Sequence, residues 1–400
     1  MRDPARMDSI DLPPSMTYPL DSLLSEWKAK SYLRRGEGDC VTSGVNPTFS
    51  DSVYIDRLGR IPAVIEMPYN DIVRKFIDQY TTRLRGQVSF MLGAANFYMP
   101  IFEEALDAYN LPLELKYLPI IESALNPSAE SRAGASGLWQ FMIGTGKMYG
   151  LESNSLVDER RDPIKSSWAA ARYLKEMYDI YGDWNLVIAA YNCGPGTINK
   201  AIRRADGATD YWKIFYYLPR ETQGYVPAFI AANYVMTYYC EHNICPMLTN
   251  MPADTDTVRV NRALHFQQVA DLCHIPLEQV KSLNPQYKRD IVPGNSQLCT
   301  LRLPINAVSD FIDRQDTIYQ HRASELFRNR TTVAVQERSD RRGRRTAQAG
   351  KGMPTQYRIK SGDTLSTIAD RFNVRVSDLQ RWNGLSGTKI SAGKTLRIYK

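Results

Sequence analysis

Apolar residues recur at helical spacing from about residue 67 onward. Asn70 or Asp71 caps a helix start, and Ile72, Val73, Phe76, Ile77 and Tyr80 follow on one face. Helix follows helix from there to about Asn250. Ile101–Tyr109, Glu114–Ser123, Ile164–Tyr181 and Asp183–Tyr191 are the clearest, with Pro and Gly turns between them. Few segments alternate like strands, so residues 67–252 are predicted to form an all-helical domain. Residues 1–66 carry scattered Pro and Gly and little periodicity, which predicts an extended or partly ordered segment. The pattern changes after Pro252. Thr257–Val260 alternates like a strand, two short helical stretches follow, and Cys299–Leu303 alternates again. The same order returns in Gln356–Ile359, Leu365–Phe372, Val376–Trp382 and Thr395–Tyr399. The repeat predicts two copies of a β-α-α-β module, at 256–304 and 356–400, joined by residues 305–355. The fold class is mainly α for the large domain, with small α+β modules.

A chain of 400 residues is long enough for about two or three such domains. The net charge of +7 is a local matter. Arg328 to Lys351 hold eight Arg or Lys against two acids, a net of +6, which leaves +1 for the rest. This run, rich in Arg, Gln, Ser, Gly and Thr and poor in large apolar residues, reads as a basic flexible linker. It lacks interleaved aromatics, so a nucleic-acid partner is not expected. Attraction to an acidic polymer or membrane surface fits it better. The 24 tyrosines suit sugar-binding clefts, but half-exposed helix packing is the commoner role for any one of them.

No stretch is apolar for long enough to span a membrane. The opening MRDPARMDSIDLPPSM lacks the basic and apolar regions of a secretory signal. The six cysteines form no C-x-x-C pair and the four His do not fall at metal-ligand spacings, so no metal site is expected. Cys240 with Cys245, and Cys273 with Cys299, are disulfide candidates in an oxidising compartment and buried thiols otherwise.

The C-terminal module carries Tyr357-Arg358-Ile359-Lys360-Ser361-Gly362-Asp363-Thr364-Leu365, then Ile368-Ala369, Phe372, Leu379, Trp382-Asn383 and Lys394-Thr395-Leu396. It resembles a LysM domain, a fold that binds N-acetylglucosamine in peptidoglycan or chitin. The resemblance implies glycan contacts from Gly362, Asp363, Thr364 and Leu365. The earlier copy has His265-Phe266-Gln267-Gln268 in place of the Gly-Asp-Thr-Leu turn and resembles a degenerate LysM, for which no glycan binding is expected.

The helical domain holds four motifs in order. These are Leu118-Pro119-Ile120-Ile121-Glu122-Ser123; Ser131-Arg132-Ala133-Gly134-Ala135-Ser136-Gly137-Leu138-Trp139-Gln140-Phe141; Ala189-Ala190-Tyr191-Asn192-Cys193-Gly194; and Leu218-Pro219-Arg220-Glu221-Thr222-Gln223-Gly224-Tyr225. Together they resemble soluble lytic transglycosylases of the goose-lysozyme-like superfamily, which implies a lysozyme-like catalytic domain acting on peptidoglycan. Glu122 closes an apolar run, and a carboxyl held against apolar side chains has a raised pKa and serves as a proton donor. No obvious second acid sits in the motifs; Glu130 is nearest, and Glu221 lies in the fourth. The family's chemistry needs none, because the muramyl C6 hydroxyl attacks its own anomeric carbon.

The resemblance further implies that Gly137 and Gln140 line the cleft and that Ser123 and Ser131 hydrogen-bond the acid or the substrate. By the same resemblance Tyr191 and Asn192 hold the N-acetyl group and the acid, and Tyr225 orients Glu122. Trp139 and Phe141 fit core or cleft equally. Cys193 has no His partner and is rejected as a nucleophile. The reaction needs no cofactor. Two alternatives stay open: a goose-type lysozyme hydrolase, and a non-catalytic wall-binding scaffold. The substrate implies action in the periplasm of a Gram-negative cell, as a monomer, with outer-membrane association through a lipidated Cys upstream left open.

Overall fold

Short polar caps start the helices of the large domain. Asn70 accepts from the amides of Ile72 and Val73, both at 3.0 Å. Asp162 does the same for Ile164 and Lys165 ahead of Pro163, and Asp183 accepts from Leu186. In the computed structural model these caps start three of a run of ten helices. The ten are α1 (Asp51–Arg60), α2 (Asp71–Thr81), α3 (Arg85–Ala108), α4 (Leu118–Ser123), α5 (Ile143–Met148), α6 (Pro163–Tyr181), α7 (Trp184–Cys193), α8 (Pro195–Arg204), α9 (Tyr211–Ile214) and α10 (Arg220–Thr237). The structure describes residues 10–19, 33–34, 44–249, 251–252, 254–327, 355–359, 363–372, 374, 376–383, 385 and 393–398. It divides into two compact units, Met1–Glu337 and Arg338–Lys400.

Helices α3 and α10 form the centre of the first unit. Residues Val88 to Ala95 of α3 and Gly224 to Met236 of α10 are all buried, and each helix continues through an internal proline, Pro100 or Pro227. Order begins earlier than the expected boundary at 67. Tyr54 and Leu58 of α1, four apart on one face, are buried, and Arg57 reaches Tyr234 Oη at 2.9 Å. Residues 10–18 also lie on this core through Ile10, Leu12, Met16 and Tyr18. Two short strands, β1 (Leu33–Arg34) and β2 (Leu248–Thr249), pair antiparallel.

The first small module pairs β3 (Thr255–Val260) antiparallel with β6 (Cys299–Pro304), in register from Thr255↔Pro304 to Val260↔Cys299. Inside this pair β4 (Ala263–His265) meets β5 (Ile291–Pro293), and helices α11 (Phe266–Leu272) and α12 (Leu277–Leu283) pack between. His265 replaces the usual turn with a capping box: its Nδ1 accepts from Gln267 N, and Gln268 Oε1 accepts from His265 N.

The expected linker from 305 is corrected. Residues 305–327 form α13 (Ile305–Asp313), α14 (Gln315–Gln320) and α15 (Ala323–Leu326), with Ala307, Phe311 and Ile318 in the module's core. Their apolar face is what the polar average of the segment conceals. The basic run at 328–354 lies outside the described residues.

This module joins the helical domain through backbone as well as side chains. Asp158 N donates to Gln286 O at 2.8 Å, Lys288 N donates to Leu156 O at 2.6 Å, and the Lys288 ammonium lies 3.5 Å from Asp158.

The second unit pairs β7 (Thr355–Arg358) with β8 (Thr395–Ile398), with α16 (Leu365–Phe372) and α17 (Val376–Asn383) between. Ile359, Leu365, Ile368, Ala369, Leu379, Leu396 and Ile398 make its own core. The same asparagine clamp occurs inside each of the two modules. Asn383 accepts from Arg397 N at 2.7 Å and donates to Arg397 O and Leu379 O. Asn284 makes the same three bonds with Arg302 and Val280.

Neither cysteine pairing is formed. Cys240, Cys273 and Cys299 are free, while Cys245 is in a disulfide with none of them. Cys240 is exposed whereas Cys245 is buried. Cys273 faces Asp310 and Arg314, but Cys299 bonds Tyr287.

Candidate active site

Leu118, Pro119, Ile120 and Ile121 bury α4 in the core and carry Glu122 to its end. The helix stops because Ala124 (φ 51°) and Leu125 (φ 60°) are left-handed, a conformation that non-glycine residues hold only when packing imposes it. Glu122 is left half-buried against apolar neighbours. Burial pushes its carboxyl up to about 8, the Tyr225 hydrogen bond acts in the opposite direction, and the Glu221 charge adds to the rise.

The four motifs close into a ring around this acid. Ser123 Oγ donates to Leu138 O at 2.9 Å, tying α4 to the second motif. Tyr191 Oη donates to Trp139 O at 2.8 Å, tying that motif to α7. Thr222 Oγ1 donates to Asn192 Oδ1 at 2.8 Å, tying α7 to α10. Tyr225 Oη donates to Glu122 Oε1, returning to the start. Burial first, and the Glu122 charge after it, hold the Tyr225 and Tyr191 phenols well above their usual range, so both remain protonated donors. With its oxygen engaged by Thr222, Asn192 keeps its Nδ2 hydrogens as available donors.

The loop of the second motif is clamped from behind. Buried Arg160 pairs with Asp158 at 2.8 Å and donates to Gly134 O at 2.7 Å and Phe141 O at 3.0 Å. Burial alone would raise the Asp158 carboxyl, but the Arg160 pairing holds it below its ordinary value. Arg161 adds bonds to Ser136 Oγ and Glu130.

Several expected roles change. Ser123 is fully buried and also donates to Pro119 O, which holds the loop. Ser131 Oγ accepts from Ala135 N at 3.0 Å and shapes the turn. Gly137 (φ 87°) is needed for the protein's own backbone: a Cβ there would lie 1.8 Å from Arg160 O. Gln140 (φ 48°) donates its amide to Gly137 O at 2.8 Å and Ala129 O. Trp139 is core, with its indole N–H on Ser167 Oγ at 2.9 Å, and Phe141 is core too. Burial raises the Cys193 thiol, which keeps it neutral. In the second unit Leu365 is buried in the core, Asp363 accepts from Tyr357 Oη at 2.8 Å, and Thr364 is exposed. Gly362 lies outside the described residues.

Thr222, Asp158 and Arg160 hold the ring and its loop in place, and motif reading gives them no role. The only sequence signal for the pair is the dense Asp158-Glu159-Arg160-Arg161-Asp162 run.

The Transglycosylase SLT domain family matches residues 99–215. The Lytic transglycosylase MltD, LysM-like domain family matches 254–320, and the LysM domain family matches 357–398. The chain is 30% identical to membrane-bound lytic murein transglycosylase D of Escherichia coli (strain K12), over 83% of this chain and 70% of that one. This chain belongs to the lytic murein transglycosylases. Another lytic transglycosylase, the soluble lytic murein transglycosylase of the same strain, is 33% identical over 30% of this chain and 19% of its own. Among solved structures, the 70 kDa soluble lytic transglycosylase of Escherichia coli matches at 29% identity, over 36% of this chain and 24% of that one, with a TM-score of 0.32. The MltD LysM-like family match reaches residue 320, in keeping with α13 and α14 as part of the first module.

Proposed function

We propose that this lytic transglycosylase cleaves the β-1,4 bond between N-acetylmuramic acid and N-acetylglucosamine, with Glu122 as both acid and base. The observation that carries the reading is a carboxyl pushed up to about 8 and capped by a tyrosine, with the other carboxylate of the motifs, Glu221, exposed. Protonated Glu122 gives its proton to the glycosidic oxygen as the C1–O bond breaks. The C6 hydroxyl of the same muramyl residue then bonds to C1, and its proton returns to the Glu122 carboxylate. Atoms balance without water, and the product ends in a 1,6-anhydro ring.

A lysozyme-type hydrolase needs a carboxylate placed to activate water or to act as nucleophile. Glu130 is instead paired with Arg161 at 3.1 Å, and Glu221 is exposed and bears on Glu122 through charge. Asn192 Nδ2 suits the N-acetyl carbonyl, and Tyr191 and Tyr225 suit the acid.

Peptidoglycan strands are the partner. The periplasm follows from where that substrate lies, with action as a monomer. No helix among the described residues is long and apolar enough to cross a membrane. An upstream lipidated Cys is the anchoring route we put forward. The C-terminal LysM module would hold the wall through Asp363, Thr364 and Gly362.

The test is mass spectrometry of digested peptidoglycan. Products one water lighter than reducing-end muropeptides are expected, and reducing ends alone would refute the reading. Glu122→Gln should lose about 10²–10⁴-fold in turnover or more while still binding sacculi; a loss under tenfold would remove Glu122 from its role.

A further inference from the structure

The segment ahead of the first helix touches the active site on two sides. Because Ala124 and Leu125 are left-handed, their amides turn back to Ile120 O and Pro119 O. The Ile121 carbonyl, one residue before Glu122, is thereby left without a donor from its own helix. Ser15 supplies one. Its hydroxyl donates to Ile121 O at 2.6 Å, and Ser15 is 4% exposed.

The second contact is on α10. A Cβ on Gly224, the residue before Tyr225, would lie 2.5 Å from Asp11 O and 3.0 Å from Ile10 Cγ2. The segment's backbone is therefore seated directly on the turn of helix that presents the tyrosine. Met16, 3% exposed, anchors it in the core, and Gln87 Nε2 holds Tyr18 O at 3.3 Å.

One short segment thus contacts the neighbour of the acid and the neighbour of its hydrogen-bond partner, although α4 and α10 are far apart in sequence. We infer that residues 10–18 are a positioning strap that sets the Glu122 carboxyl against the Tyr225 phenol, with Ser15 acting through the Ile121 carbonyl. The strap lies outside the segment that matches the transglycosylase family, at 99–215. This inference rests on Glu122 being the acid.

The experiment compares Ser15→Ala and Ser15→Thr in the full chain, using a soluble muroglycan, a pH profile of kcat and a thermal melt. Ser15→Ala should lower kcat roughly ten- to hundred-fold with KM within about twofold, and should move the alkaline limb of the profile. Ser15→Thr, which keeps the hydroxyl, should recover most of the loss. Gly224→Ala pushes on the strap from α10 without altering Ser15, and should give the same kcat signature if Ser15→Ala does not fold. A Ser15→Ala enzyme that melts earlier but keeps its kcat and pH limb would overturn the strap's role. Glu122→Gln assayed alongside separates the two ideas. If it stays active, the acid assignment fails; if it is dead while Ser15→Ala is normal, the strap alone fails.

Discussion

The Tyr225 phenol donates its hydrogen bond to Oε1 of Glu122, and Glu122 has no other side-chain hydrogen bond among the described residues. A phenol held well above its usual range stays protonated near neutral pH, and here it donates to the carboxyl. It therefore favours the ionised carboxylate while burial favours the neutral acid. The two act in opposition on one group that must both give and take a proton. Burial wins, which leaves the resting acid protonated near neutrality and the tyrosine ready to stabilise the carboxylate formed when the glycosidic bond breaks.

Tyr225→Phe tests this balance. Loss of the donor removes stabilisation of the ionised form only, so the Glu122 pKa should rise further above about 8. The alkaline limb of kcat should move to higher pH, while kcat on the plateau falls by roughly tenfold or more for want of orientation. Measuring the kcat profile of the variant against the parent checks both parts. An alkaline limb that moves to lower pH would show that the phenol acts on the neutral acid instead.

Gly137 offers a test of the loop clamp. With φ at 87° and Arg160 O at 1.8 Å from an added Cβ, Gly137→Ala meets backbone strain and a backbone clash together. The cost should be about 2–5 kcal/mol, with activity falling because Leu138 and Trp139 hold the ring. Gly134 (φ 88°) has nothing within 4 Å, so Gly134→Ala isolates the strain alone at about 1–2 kcal/mol. Denaturant melts of the two variants should differ by the clash, and equal melts would refute the close approach of Arg160.

Sequence reading succeeded where structure is local and failed where it is not. Glu122 and its ring lie in four short motifs, each a self-contained turn or helix end, and each could be seen by itself. The apolar periodicity of α2 placed that helix, since one face is buried and the other is not. The first half of α3 offers no such signal: Val88 to Ala95 are buried on every side, so no face alternates. The resemblance implies a cleft position for Gly137 and a bond to the acid or substrate for Ser123; what their motifs do not announce is the Ser123 bond to Leu138 O and the Arg160 backbone against Gly137. Ser15 bonds a residue 106 positions away, and nothing near it in sequence announces that. Spacing makes Cys240 and Cys245 disulfide candidates but says nothing of which way a thiol faces.

The last expectation separates the two modules. The C-terminal unit has its own core and clamp, so a chain ending at Phe327 should keep the melting temperature of the first unit and its activity on short soluble muroglycans. Activity on whole sacculi should fall by tenfold or more, because a second binding site raises effective concentration only on a polymer long enough to occupy both. Ending the chain at Pro252 should act differently. The LysM-like module bonds the 152–160 segment through Gln286 O, Lys288 N and the Lys288–Asp158 pair, and Asp158 positions Arg160 on the catalytic loop. Its loss should lower the melting temperature and harm both substrates alike. If the chain ending at Phe327 lost both activities equally, the C-terminal module would be part of the catalytic fold and the effective-concentration account would fail.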